Sequence, residues 1–262
     1  AGVLDLAGVV VELLYKFFPQ SLDQLPTDRG VNINGPKPLI FDASKAEELE
    51  VILSGGRVDG SHKKIEFGVS QAILTRKPVH KVKKDLPDGL QTHPNIFTIK
   101  GSKGLEFEDV LIFNFFSDSK VDAKTWRSLS QYNDDKAEPD VHANIPTTLE
   151  EYMNKLPKRE KLNPTEFVES KHRELEHELK DLYIAVTRAR TNVWFYDAID
   201  NENQQKMNDI QRTTLYQLFK RRGLTKTYGK DQAEFSFSNS STPDEWAKNA
   251  YQTKMRAKSS TA

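Results

Sequence analysis

The chain has 262 residues, 37% of them hydrophobic and 29% charged, and a formal net charge of zero. That length carries one substantial core with extensions, and neutrality excludes a global positive field, so any nucleic-acid contact must be a local patch. The absence of cysteine excludes disulfides, thiolate metal sites and a cysteine nucleophile, and it fits a reducing compartment.

Leu4, Leu6, Val9, Val10, Leu13, Leu14, Phe17 and Phe18 recur at three- and four-residue spacing, which predicts an amphipathic helix closed by Pro19. Pro38 to Asp42 reads as a strand, and Ser44-Lys-Ala-Glu47 is a capping box opening a helix that ends at Gly55-Gly56. The polar segment 57 to 64 reads as a surface loop, and Val69 to Thr75 as a buried strand ending at Arg76. Residues 77 to 94 hold three prolines and the cluster Lys81-Val-Lys-Lys84, too short a stretch for a domain of its own. Ile96 to Ile99 and Val110 to Phe116 bracket a glycine- and lysine-containing loop, giving strand, loop, strand.

Residues 117 to 164 form a polar excursion with a helix signal at Thr148-Leu-Glu-Glu151. From Thr165, the apolar positions Phe167, Leu175, Leu179, Leu182, Tyr183 and Val186 predict a long helix, then Val193 to Tyr196 a strand. Ile210, Leu215, Leu218 and Phe219 predict a helix stopping at Arg221-Arg-Gly223. We therefore expect a first domain over 1–223 that includes the excursion, a linker over 224–240, and the start of a helical extension over 241–262, where Ser241-Thr-Pro-Asp-Glu-Trp246 is a helix-start pattern. Strands alternating with helices predict an α/β fold with a mainly parallel sheet covered on both faces.

Two stretches stand out for chemistry. Thr98 to Phe107 reads Thr-Ile-Lys-Gly-Ser-Lys-Gly-Leu-Glu-Phe, and Leu182 to Arg190 reads Leu-Tyr-Ile-Ala-Val-Thr-Arg-Ala-Arg, each joined to a strand-like run. In this order they resemble motifs V and VI of the UvrD/Rep-like superfamily 1 helicases. The resemblance implies a second RecA-like domain, of the P-loop NTPase type, with the family's large accessory subdomain missing between residues 77 and 94. It also implies a fragment beginning just past motif IV.

By that resemblance Arg188 is an arginine finger reaching the γ-phosphate of ATP, a permanently charged planar fork suited to a transferring phosphoryl group. Glu106 approaches the ribose, and Gly104 lets the backbone turn close to the nucleotide. Thr98, Lys100 and Lys103 contact the phosphates of single-stranded nucleic acid, DNA or RNA, holding position without reading bases. Glu178 matches one of the paired acids preceding motif VI, with His177 at its partner position, and a helix-surface salt bridge explains it equally well. A phosphate loop ending in Gly-Lys-Thr/Ser and an acidic metal-binding pair after a strand do not occur in the sequence. Asp134-Asp135 lies in a polar segment and reads as a surface pair. ATP and its Mg2+ are therefore expected on a missing N-terminal RecA-like half. Histidines 62, 80, 93, 142, 172 and 177 show no metal spacing, and no protein-bound metal is expected.

The functional expectation is the C-terminal half of an ATP-dependent helicase or translocase, inactive alone. The alternative is a catalytically decayed, helicase-derived protein-interaction module. The intact pair Glu106 and Arg188 favours the first; neutral charge and the missing subdomain favour the alternative, as does the helix start at Ser241, which resembles the opening of the helical region in large UvrD-like proteins bearing tetratricopeptide or ankyrin repeats. No apolar stretch approaches the roughly 20 residues that span a bilayer, so an intracellular protein, nuclear or cytoplasmic, with no membrane partner is expected.

Overall fold

The computed structural model describes residues 2–22, 35–42, 68–131, 167–198 and 215–229, together with residues 49, 244 and 247. Among these residues six strands form one sheet in the order β3-β2-β4-β5-β1-β6. They are β1 (Leu39–Asp42), β2 (Gln71–Thr75), β3 (Ile96–Thr98), β4 (Phe107–Phe113), β5 (Ala189–Tyr196) and β6 (Lys226–Gly229). Every pairing is parallel. With helices on both faces this is an α/β, RecA-like architecture, and the burial of both faces explains why β2 and the middle of β4 read as unbroken apolar runs.

On one face lie α1 (Gly2–Phe17) and α5 (Arg173–Val186), packed against each other and over Ile40, Leu74, Val110, Ile112, Val193 and Phe195 of the sheet. The short α4 (Ala123–Trp126), the 3-10 turn Arg127–Gln131 and the helical residues 215–221 complete this layer. On the other face α2 (Val79–Val82), the 3-10 turn Lys83–Asp85 and α3 (Asp88–Gln91) bring Val82, Leu86 and Leu90 onto Ile73, Ile96, Leu111, Phe113 and Trp194. Gly2 lets α1 start against the backbone of Pro36, since a Cβ there would collide with the Pro36 carbonyl.

Register is fixed by polar side chains at the lower end of the sheet. The Gln71 amide donates to Asp109 at 2.9 Å, the Asn192 amide donates to the other Asp109 oxygen at 2.7 Å, and the Asn95 amide donates to the carbonyls of Val69 and Gln71. A one-residue slip would strand these buried groups without partners, so the ladder holds four neighbouring chain segments in step.

Two expectations change. The long helix begins at Arg173, later than Thr165, because a 3-10 turn over Glu169–Lys171 leads into it and the Val168 N–H donates to His172 Nδ1 at 3.0 Å. Phe167 packs edge-on against Phe17 and Phe18, tying this turn to the end of α1. Lys226–Gly229, inside the segment read as linker, is β6 and pairs with β1 over Leu39 to Asp42. A short edge strand carrying Lys and Thr has no apolar alternation to announce it. The helix expected after Ser44 apart from Leu49, which is helical and buried, the loop 57–64, the helix signal at Thr148, Asp134-Asp135, His62 and His142 lie outside the described residues, as does the helix start at Ser241 apart from Asp244, which is helical.

Candidate functional site

Thr98 ends β3 in register with Thr75, which itself pairs with Phe113 at the end of β4. Its hydroxyl accepts the Gly101 N–H at 3.0 Å, opening the 3-10 turn Lys100–Ser102. Lys100 and Lys103 are exposed, while Ser102 is buried and donates to the Ile99 carbonyl at 2.7 Å. The loop then returns to the opposite rim of the sheet. Gly104 sits at φ +84, a conformation that L side chains rarely adopt.

Glu106 immediately precedes Phe107 at the start of β4. Seven residue steps, Glu106 to Phe113, about 23 Å, separate the level of Glu106 from that of Thr98. The expected nucleic-acid group and the expected nucleotide group therefore lie at opposite ends of the sheet.

Glu106, Arg188 and Arg190 do come together. Arg188 lies one residue beyond the helix C-cap at Thr187, at the turn into β5. Its half-buried guanidinium is bonded to the surrounding turn: Nε donates to the Ile184 carbonyl at 3.1 Å, Nη1 to the Leu105 carbonyl at 3.1 Å and Nη2 to Thr187 Oγ1 at 3.2 Å. The Arg188 carbonyl in turn accepts the Phe107 N–H at 2.9 Å. The residue thus stitches the end of the loop to the end of α5. Glu106 accepts two bonds from Arg190, at 3.0 and 2.8 Å, in an exposed fork-shaped pair that holds the Arg190 pKa above its ordinary value.

The sheet also has a topological switch point, where open α/β sheets characteristically receive ligands. After β2 the chain turns to α2 on one face, and after β4 to α4 on the other, leaving a crevice beyond the carboxyl ends of these two strands. Arg76 fills it. Nε donates to the Phe115 carbonyl at 2.6 Å, Nη1 donates to Glu178 at 2.9 Å, and the guanidinium lies 3.7 Å from the Phe115 ring centroid. Nη2 approaches the other Glu178 oxygen at 2.6 Å, a charge contact without hydrogen-bond alignment.

Ser119 donates to Glu178 at 2.7 Å and accepts the Trp126 indole N–H at 3.2 Å. Burial pushes Glu178 above the usual carboxylate range, and Arg76 and Ser119 pull it back. Beside them Lys77 pairs with the buried carboxylate of Asp118, which burial also raises. Asp197 accepts the N–H groups of Phe116 and Ser117 and the Tyr216 hydroxyl, fixing the loop after β4.

Glu178 is therefore neither a surface charge nor an orphan. Its place on the Leu175, Leu179, Leu182 stripe is the sequence signal of burial, and the charged end of an apolar run at Arg76 is its counterpart. Among the described residues no group of three or more His, Asp or Glu is placed to hold a metal, and no helix is long and apolar enough to cross a membrane.

No family model matches the chain, and no solved structure gives a significant match. The chain is similar to TPR and ankyrin repeat-containing protein 1 of Homo sapiens. The two are 34% identical over 254 residues, covering 94% of this chain but 8% of the human protein. This corrects the resemblance to UvrD/Rep-like helicases: the matching relative is a repeat protein by name, and no helicase family model is found. The labels of helicase, hydrolase, nucleotide-binding and DNA-binding protein that followed from the resemblance are withdrawn with it. The physical reason lies in the motifs themselves. Lys-Gly-Leu-Glu-Phe contains the positive-φ turn and strand entry that the loop needs, and Tyr-Ile-Ala-Val-Thr-Arg-Ala the helix end that receives it, so both follow from the fold without any bound nucleotide.

Proposed function

We propose that this RecA-like domain is a protein-interaction module of a larger repeat-containing protein, acting through its surface instead of through nucleotide chemistry. The observation that carries this reading is the engagement of Arg188. Three of the five N–H donors of the Arg188 guanidinium are engaged by the Leu105 and Ile184 carbonyls and by Thr187, which ties the group to its own loop and helix end. Arg76, the cation at the switch point, is likewise bonded to Phe115 and Glu178. Similarity to a protein named for TPR and ankyrin repeats supports the same reading, since repeat arrays present extended binding surfaces. The lack of cysteine fits the reducing nucleus or cytoplasm.

The test is calorimetric titration of the purified chain with ATP and Mg2+, together with a phosphate-release assay with and without oligothymidylate. We expect no saturable nucleotide binding at micromolar concentrations and no release above buffer. Saturable binding or hydrolysis that Arg188→Ala removes, in a variant that keeps its fold, refutes the proposal.

A further inference from the structure

The outer edge of β6 lies in a corner of positive charge. Lys226 and Thr227 are both exposed. The Lys226 N–H donates to the Pro38 carbonyl at 3.0 Å, so its peptide groups face β1. By the alternation of a strand, the N–H and C=O of Thr227 face away from the sheet, and among the described residues nothing pairs with them.

Near this edge stand Lys37, whose ammonium lies 3.6 Å from the position a Cβ on Gly223 would take, and, at the end of the helix 215–221 just before Gly223, Lys220 and Arg221. Among the described residues none of Lys37, Lys220, Arg221 and Lys226 is in an ion pair. Arg221 Nε is buried without a hydrogen-bond partner. The one carboxylate shown bonded in this corner, Glu12, is held by Arg222 at 2.7 Å. Among the described residues, a chain of zero net charge thus sets Lys37 and Lys226, with Lys220 and Arg221 at the adjoining helix end, as cations outside any ion pair near a strand edge with no neighbour.

We infer that the β6 edge binds an extended acidic polypeptide segment, which adds to the sheet as a seventh strand. Main-chain bonds to Thr227 give the registration, and the side chains of an added strand, alternating between the two faces, present carboxylates to Lys226 on β6 and to Lys37 beside it. The same lysines disfavour pairing with a second copy of this edge, because like charges would meet. A phosphate backbone could satisfy the ammoniums but has no N–H and C=O pair to offer Thr227, which favours a polypeptide. This inference rests on the interaction-module reading and names its partner class and site.

The experiment measures fluorescence anisotropy of labelled ten-residue peptides with the full chain. One peptide alternates Glu with Val and Thr, a second replaces every Glu by Gln, and a third carries an N-methyl group on every internal amide of the acidic peptide, so that neither of its edges can donate to a strand. Labelled oligothymidylate of equal charge is the fourth probe. We expect saturable binding of the acidic peptide, at least about tenfold weaker binding of the Gln peptide and of the K37E/K226E variant, and loss of binding with the N-methylated peptide. The N-methyl arm needs no protein variant, so it is independent of any folding defect.

The inference is overturned if the acidic peptide does not bind, if the N-methylated peptide binds as well as its parent, or if oligothymidylate binds as tightly. Failure of the peptide arms alone leaves the interaction-module reading standing, since that reading falls on nucleotide binding or hydrolysis.

Discussion

Replacing Arg76 by alanine tests whether the switch-point crevice is a structural lock. The substitution leaves the Glu178 side chain, 10% exposed, with the Ser119 hydroxyl at 2.7 Å as its remaining hydrogen-bond donor among the described residues, and removes the donor bonded to the Phe115 carbonyl. Removing one member of a buried ion pair costs about 3–5 kcal/mol, most of it the uncompensated charge left behind. At about 2–4 °C per kcal/mol for a chain of this size, the expected fall in melting temperature is roughly 6–20 °C.

Glu178→Gln keeps a hydrogen-bonding oxygen but leaves the equally buried Arg76 cation without this counter-ion, so it should cost a similar amount, about 3–5 kcal/mol. Arg76→Met combined with Glu178→Leu exchanges the pair for apolar groups and should cost less than Arg76→Ala alone. Urea denaturation followed by tryptophan fluorescence reads these differences, because Trp126 is fully buried and bonded to Ser119, which is itself bonded to Glu178. A cooperative unfolding transition in which Arg76→Ala loses less than about 1 kcal/mol refutes the reasoning.

Arg188→Ala should destabilise by about 1–3 kcal/mol, since three donors leave the carbonyls and hydroxyl they satisfy; an unchanged urea midpoint shows that the guanidinium is not a clamp. Gly104→Ala should cost about 1–2 kcal/mol for backbone strain alone, because φ is +84 and no atom lies within 4 Å of the added methyl; stability equal to the parent counts against the left-handed turn. For Asp118 the folded pKa is raised, so the folded state holds its proton more tightly than the unfolded one. Its favourable contribution is complete below the unfolded value and is lost as pH rises through the folded value. The stability of Asp118→Asn relative to the parent should therefore climb from about pH 4 upward, and a difference that stays flat or declines between pH 3 and 7 excludes this.

How much of this was legible in the sequence depends on the distance over which each feature is determined. β2 and β4 are apolar runs because helices cover both faces, and α1 shows its buried stripe in its own spacing. β6 was hidden because Lys226 and Thr227 face solvent and a four-residue edge has no pattern to repeat. At the candidate site, the nearness of Arg188 to the loop ending at Glu106 could be anticipated from the two motifs. The bonding of its guanidinium to that loop could not, since that depends on where the Leu105 carbonyl points. Glu178 carried a local sign of burial, but its partner Arg76 lies 102 positions away, and no local pattern names it.

The strand order bears on how the chain assembles. β2, β3 and β4 lie close together in sequence and are neighbours in the sheet, so they can associate as soon as they exist. β1 is made long before them but pairs with β5 and β6: Leu39 stands opposite Trp194 on one side and Lys226 on the other. During synthesis, β1 must wait without its sheet neighbours until β5 and β6 have emerged, about 150 residues later. Long-range parallel pairing of this kind is slow and exposes sticky intermediates. Truncation after Tyr196 would leave β1 without its outer neighbour, and the half-finished sheet would depend on chaperones for as long as that edge stayed open.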